Sequence, residues 1–132
     1  MEKQKRQMVY KKYSGLCAYT GQPLGEDWQV DHVIPKCLTI QSFSGFEKHD
    51  DFGNLLPACK IVNHYKRSLD LEGFRIYMLN FHKRLAKLPK NTMVKSTQRR
   101  KEYMQEIADL FGIATDRPFS GVFFFETVNQ HL

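Results

Sequence analysis

Asp31 and His32 stand together in the run Val30-Asp31-His32-Val33-Ile34-Pro35. Asn54 follows in Asn54-Leu55-Leu56-Pro57-Ala58-Cys59, and Asn63 in Asn63-His64-Tyr65-Lys66. A carboxylate, an imidazole and two carboxamides in this order offer hard oxygen ligands and one group that titrates near neutral pH. Such a set can hold a divalent cation and a general base beside a phosphodiester. Asp31 supplies a carboxylate and Asn63 an amide carbonyl. Two protein oxygens suffice for Mg²⁺ or Mn²⁺, because Mg²⁺ keeps most of its waters. His32, neutral near pH 7, can take a proton from water. Asn54 can orient the imidazole or brace the loop that carries it.

These groups need elements to position them. Trp28 to Val33 alternates apolar and polar, which predicts a strand, with Pro35 ending it. A regular strand points Asp31 and His32 to opposite faces, so the strand must end or bend at this pair. Residues 36–53 form a long polar connection, closing in a turn at Asp50-Asp51-Phe52-Gly53. Asn54-Leu55-Leu56 predicts a second short strand, and helix propensity resumes near Ala58. Upstream, residues 1–13 read as a short basic helix or a loose arm, and the segment from Cys17 to Gly25 as a turn punctuated by Gly21 and Pro23.

Downstream, Leu71, Phe74, Tyr77, Met78, Phe81 and Leu85 recur at spacings of three and four. That predicts one amphipathic helix, capped by Ser68 or Asp70 and stopped at Leu88-Pro89. A second helix is expected from about Thr97 to Phe111, with Tyr103, Ile107, Leu110 and Phe111 on its core face and Gly112 just past its end. The run from Gly121 to Glu126 predicts a final strand, added to the small sheet.

The chain has 132 residues, enough for one ordinary domain with a core of its own. No apolar run approaches the roughly 20 residues of a membrane-spanning helix. The N-terminus shows no apolar stretch of the secretory kind, and three cysteines make no disulfide framework. A cytoplasmic, reducing setting is expected. The net charge of +6 is unevenly spread: +4 over residues 1–13, −4 over 14–59, +10 over 60–101 and −4 over 102–132. The acidic block holds the candidate metal ligand and the basic block follows it. A cation site beside a polyanion-binding surface has this pattern, and so does a solvated helical face. Lys60, Lys66, Arg67 and Arg75 are the phosphate-contact candidates nearest the site, followed by Lys83 to Lys90 and Lys95 to Lys101. Lysines and arginines of this kind supply affinity, not sequence choice.

Asp31-His32-Val33-Ile34-Pro35, then Asp51-Phe52-Gly53-Asn54-Leu55-Leu56-Pro57-Ala58-Cys59, then Asn63-His64-Tyr65-Lys66, resembles the HNH endonucleases. Cys17-Ala18-Tyr19-Thr20-Gly21 ahead of Asp31-His32 is similar to the HNH domain of RNA-guided CRISPR nucleases. The resemblance covers roughly residues 17–67. It implies an α+β fold with a ββα-metal core, here spanning about 14–67. A basic segment would precede this core, and a C-terminal two-helix extension over about 68–132 would end in a strand, all in one domain of residues 1–132. It also implies a divalent-metal-dependent endonuclease acting on DNA with one Mg²⁺ or Mn²⁺ ion. His32 would be the general base, Asp31 and Asn63 the metal ligands, and Asn54 the middle asparagine. Asn63 falls three residues before Lys66, as in the family's Asn-x-x-Lys form. A shift of helix register by one residue would make His64 the ligand instead.

The cysteines depart from the family. Many HNH proteins carry two Cys-x-x-Cys pairs around a structural zinc. Here Thr20 stands where the partner of Cys17 would be, three residues on, and Val62 where the partner of Cys59 would be. With Cys37 unplaced, these thiols fall short of the four ligands a structural zinc takes. Buried free cysteines are expected. The competing reading is a nucleic-acid-binding module that keeps the fold without cutting. RNA in place of DNA, the recognition sequence and the oligomeric state stay open.

Overall fold

The computed structural model describes residues 2–33 and 51–129. Pro35, Cys37 and most of the connection over 36–53 lie outside these residues. The fold mixes helix and strand, in the order α1 (Lys3–Lys11), β1 (Gln29–His32), β2 (Leu55–Ala58), α2 (Lys60–Lys66), α3 (Leu71–Leu79), α4 (Phe81–Ala86), α5 (Lys95–Phe111) and α6 (Phe124–Asn129). A single 3-10 turn, Phe52–Asn54, leads into β2. No helix among the described residues is long and apolar enough to cross a membrane.

The chain forms two compact units, one of Met1–Phe74 with Phe123–Leu132, the other of Arg75–Val122. In the first, β1 and β2 pair antiparallel, with Asp31 opposite Leu56 and His32 opposite Leu55. β2 is buried along its whole length. Val9 of α1 packs with Trp28 and Leu55 to cover it. The Arg6 guanidinium lies over the Trp28 ring, 3.9 Å from its centroid, and Nη2 donates to the Trp28 carbonyl at 2.6 Å. The basic N-terminal segment is therefore a packed helix and not a loose arm. Gly21 closes the Cys17–Gly25 turn at φ +75°, and a Cβ there would meet the Phe124 ring at 2.8 Å.

The C-terminal segment differs from the expected strand. Phe124–Asn129 is a helix. The Phe123 N–H donates to the Glu126 carboxylate at 2.9 Å, half of a capping box. The next two N–H groups, of Phe124 and Phe125, donate to the carbonyls of Tyr19 and Ala18 at 3.2 and 2.7 Å. All three leading donors are thus satisfied, two by carbonyls distant in the chain and one by Glu126, which starts a helix where β propensity favoured a strand. Phe123 stacks on both Phe74 and Phe125, and all three rings meet Tyr19 near right angles. The extension carries four helices in place of two.

The single helix expected after Asp70 is two, broken at Asn80. Asn80 Nδ2 donates to the Ile76 carbonyl at 3.0 Å while its own N–H turns to Tyr77, three residues back. A side chain competing for backbone acceptors ends the α-helical ladder here. Asp70 does cap α3, its Oδ1 accepting the Gly73 N–H at 2.7 Å. Phe74, Met78 and Phe81 are buried as the periodicity predicts. Tyr77 is not; it stands 38% exposed beneath the Arg84 guanidinium. On α5 the buried residues are Met104, Ile107 and Ala108, with Tyr103 exposed, so the core stripe is rotated from the expected one. Gly112 ends α5 at φ 69°, ψ 30°, the left-handed cap its position predicts.

Candidate active site

Strand alternation puts Gln29 and Asp31 on one face of β1 and Val30 and His32 on the other. Helix α2 lies against the Gln29–Asp31 face. Asn63 and Lys66, three residues apart on α2, share one side of that helix. Asn63 Nδ2 donates to Gln29 Oε1 at 2.7 Å. Lys66 Nζ reaches Asp31 Oδ1 at 3.3 Å and Oδ2 at 3.2 Å, and donates to the His32 carbonyl at 3.1 Å. Tyr19 donates its hydroxyl to Asp31 Oδ2. Asp31 is 6% exposed and Lys66 1%. The strip thus carries two rungs, Gln29 with Asn63 and Asp31 with Lys66.

β1 ends at His32 and the chain bends at Val33, as the divergence of the two side chains requires. The Val33 N–H donates to the Asn54 carbonyl at 3.0 Å. Asn54 is fully buried in the 3-10 turn. It braces the end of the strand that carries the imidazole, and half-buried His32 stands beside it. The structure thus places Asp31 and Asn63 on the face shared by β1 and α2, Asn63 beside Gln29 at the start of the strand and Asp31 beside Lys66 further along, whereas His32 lies on the opposite face of β1, at the end that Asn54 braces. Asp31 and Asn63 share a face, each bonded to a neighbour of its own. His64 is exposed, a residue round the helix from Asn63 and off the strip.

Of the basic candidates near the site, Lys60 and Arg67 are exposed. Lys66 is not a surface cation; its ammonium is enclosed against Asp31. Arg75 is half-buried in the second unit, where Nη1 donates to the Gly121 carbonyl at 2.7 Å. Arg67 closes α2 at φ 54°, ψ −129°, a conformation that residues with a Cβ rarely adopt.

Tyr19 and Gln29 went unmarked in the sequence. Gln29 had a signal, since a residue two before Asp31 on a strand shares its face. Tyr19 had none. Burial raises its phenol well above the ordinary range, and the Asp31 carboxylate adds to the effect. The phenol therefore stays a donor. Cys17 is buried as expected, while Cys59 is half-buried, and the two lie together: the Cys59 backbone N–H donates to Cys17 Sγ at 3.5 Å. The hydrogen bond from the Cys59 side chain pulls the Cys17 thiol down to about 6, and the same bond pushes Cys59 up. Among the described residues no group of three or more His, Cys, Asp or Glu side chains gathers around a common point. No protein-family model, curated protein or solved structure matches this chain.

Lys66→Ala leaves the Asp31 carboxylate enclosed without its cation. The fold should lose about 3–5 kcal/mol in urea denaturation, the usual loss when one partner of a buried pair is removed. Arg67→Ala on the next residue should change stability by less than about 0.5 kcal/mol, as surface substitutions do. Equal losses would contradict the internal placement of Lys66.

Tyr19 sets an alkaline limit. In the unfolded chain its phenol ionises near pH 10, while the native phenol does not. The native state then holds the extra proton, so stability is intact below pH 10 and falls as pH rises above it. Tyr19→Phe should flatten that limb in melts between pH 9 and 11. An unchanged slope would contradict the native phenol's raised value.

Proposed function

We propose that this chain is a divalent-metal-dependent endonuclease of the HNH type, hydrolysing phosphodiester bonds in DNA. One observation carries the reading. Two short antiparallel strands, the turn before the second and the following helix carry Asp31, His32, Asn54 and Asn63 in that order, and these are the residues the HNH resemblance assigns to the reaction. A strand–strand–helix order with β1 ending at His32 supports it further.

The donor set suits a hard cation. Asp31 offers carboxylate oxygens with lone pairs beyond those facing Lys66 and Tyr19. Asn63 commits its Nδ2 to Gln29, which leaves Oδ1 as its ligand atom. Asp31 and Asn63 would hold one Mg²⁺ or Mn²⁺, which when bound neutralises phosphate charge and stabilises the departing 3′ oxygen. His32 takes a proton from the attacking water. The water oxygen bonds to phosphorus, the bond to the 3′ oxygen breaks, and that oxygen takes a proton from solvent, leaving a 5′ phosphate and a 3′ hydroxyl. Asn54 holds the strand end that aims the imidazole, and Lys66 fixes α2 against it. Exposed Lys60 and Arg67 are placed to contact the flanking phosphates.

A second reading has an observation of its own. Both oxygens of Asp31 are already bonded, to Lys66 and Tyr19, which suits a module that keeps the fold and binds nucleic acid without cutting.

Supercoiled plasmid with Mg²⁺ or Mn²⁺ separates the two. The wild-type chain should nick it, and His32→Ala should lower the rate on the order of 10²–10⁴-fold with binding retained. A wild-type chain without nicking activity, or a His32→Ala chain that nicks at the wild-type rate, would favour the binding module.

A further inference from the structure

The net charge of +6 belongs to one unit. Met1–Phe74 with Phe123–Leu132 holds ten basic and ten acidic residues, while Arg75–Val122 holds ten basic and four acidic. The unit with the candidate active site is neutral, so the excess lies on the helical unit. Its distribution there runs against helix electrostatics. α5 opens with Lys95, Arg99, Arg100 and Lys101, has no acidic residue in its first turn, and carries Glu102, Glu106 and Asp109 further along. A helix favours the opposite order, anions at the N-terminus and cations at the C-terminus. Lys95 and Arg99 are also like charges four apart, a repulsive spacing. Neither arrangement serves folding.

The connection after α4 brings further cations beside the start of α5. Lys101 Nζ donates to the Lys90 carbonyl at 2.8 Å, and Gln98 Nε2 to the Thr92 carbonyl at 2.8 Å, so residues 90–92 run alongside the first turns of α5. Lys90 and Lys101 border one cleft of about 450 Å³ with Leu85 and Leu88. Lys83, Lys87, Lys95, Arg99 and Arg100 are exposed and make no ion pair among the described residues.

We propose that the basic start of α5, Lys95, Arg99 and Arg100, with Lys87 and Lys90 of the chain leading to it, binds the phosphate backbone of a nucleic acid. The phosphates would supply both the anions that the start of α5 lacks and the counter-charge for the repelling cations. The choice of nucleic acid over another polyanion rests on the nuclease reading of the other unit. Interactions of this kind are made to phosphates and not to base edges, so binding is indifferent to sequence.

The test uses the full chain in EDTA, where no cutting interferes, with a labelled DNA duplex of arbitrary sequence and anisotropy read over a salt series. Lys95→Glu with Arg99→Glu is compared with Lys3→Glu with Lys11→Glu, the same charge change on α1 of the neutral unit. The first pair should weaken binding at least about tenfold and reduce the salt slope by about 2, because each phosphate left without its cation lowers the slope by about 0.9. The second pair should leave the slope within about 0.9 of wild type. Lys95→Gln with Arg99→Gln, which removes the repelling pair without putting two carboxylates four apart, should weaken binding in the same direction with no fall in melting temperature. Equal losses from both pairs, or none from the first, would overturn the proposal. So would binding to vesicles of anionic phospholipid with none to the duplex. A chain that binds as expected but never nicks plasmid sinks the cleavage reading and leaves this one standing. Nicking by a chain whose first pair binds like wild type does the reverse.

Discussion

The enclosed ion pair between Asp31 and Lys66 is the interaction that holds the first unit's polar strip in place. A carboxylate on β1 and an ammonium on α2, 35 residues apart, are both withdrawn from water. Neither charge is tolerable there without the other. The pair fixes the rotation and height of a seven-residue helix that is too short to hold itself. Rotation sets which α2 side chains face the sheet, so it places Asn63 beside Gln29 and turns His64 outward. The same ammonium caps the His32 carbonyl and so holds the end of the strand.

Tyr19 extends this constraint to the core. Its hydroxyl serves Asp31 while its ring meets Phe74, Phe123 and Phe125 edge-on. The carbonyls of Ala18 and Tyr19 also seat the first turn of α6. One turn of chain thereby links the polar strip to the aromatic cluster and the C-terminal helix. Beside it the Cys59 backbone N–H donates to Cys17 Sγ, with aromatic packing close by. Charge is divided as well: the unit that carries the strip is neutral, and the helical unit carries the excess of cations.

Much of the small sheet was legible in the sequence, because alternation and turn residues act locally. Val30 to Val33 alternates, Asn54 follows a glycine, and both strands form within two residues of their expected bounds. Asp70 and Gly112 act as helix punctuation for the same local reason. What was not legible depends on partners distant in the chain. Phe123 to Phe125 has the composition of a strand, and only donors aimed at Ala18 and Tyr19 make it a helix start. Lys66 looks like a surface cation until Asp31 is known to face it. The break at Asn80 needs the particular hydrogen bond its side chain makes to Ile76. The connection over 36–50, which separates His32 from Asn54, lies outside the described residues.

A nuclease of the proposed kind must hold one divalent cation on the strip between β1 and α2. Manganese broadening of amide resonances tests this directly. On titration with substoichiometric Mn²⁺, the signals of Asp31, His32 and Asn63 should disappear first. Asp31→Asn with Asn63→Ala should abolish the selectivity while the remaining spectrum stays dispersed. Broadening centred on Cys17 and Cys59, or none at equimolar Mn²⁺, would contradict it.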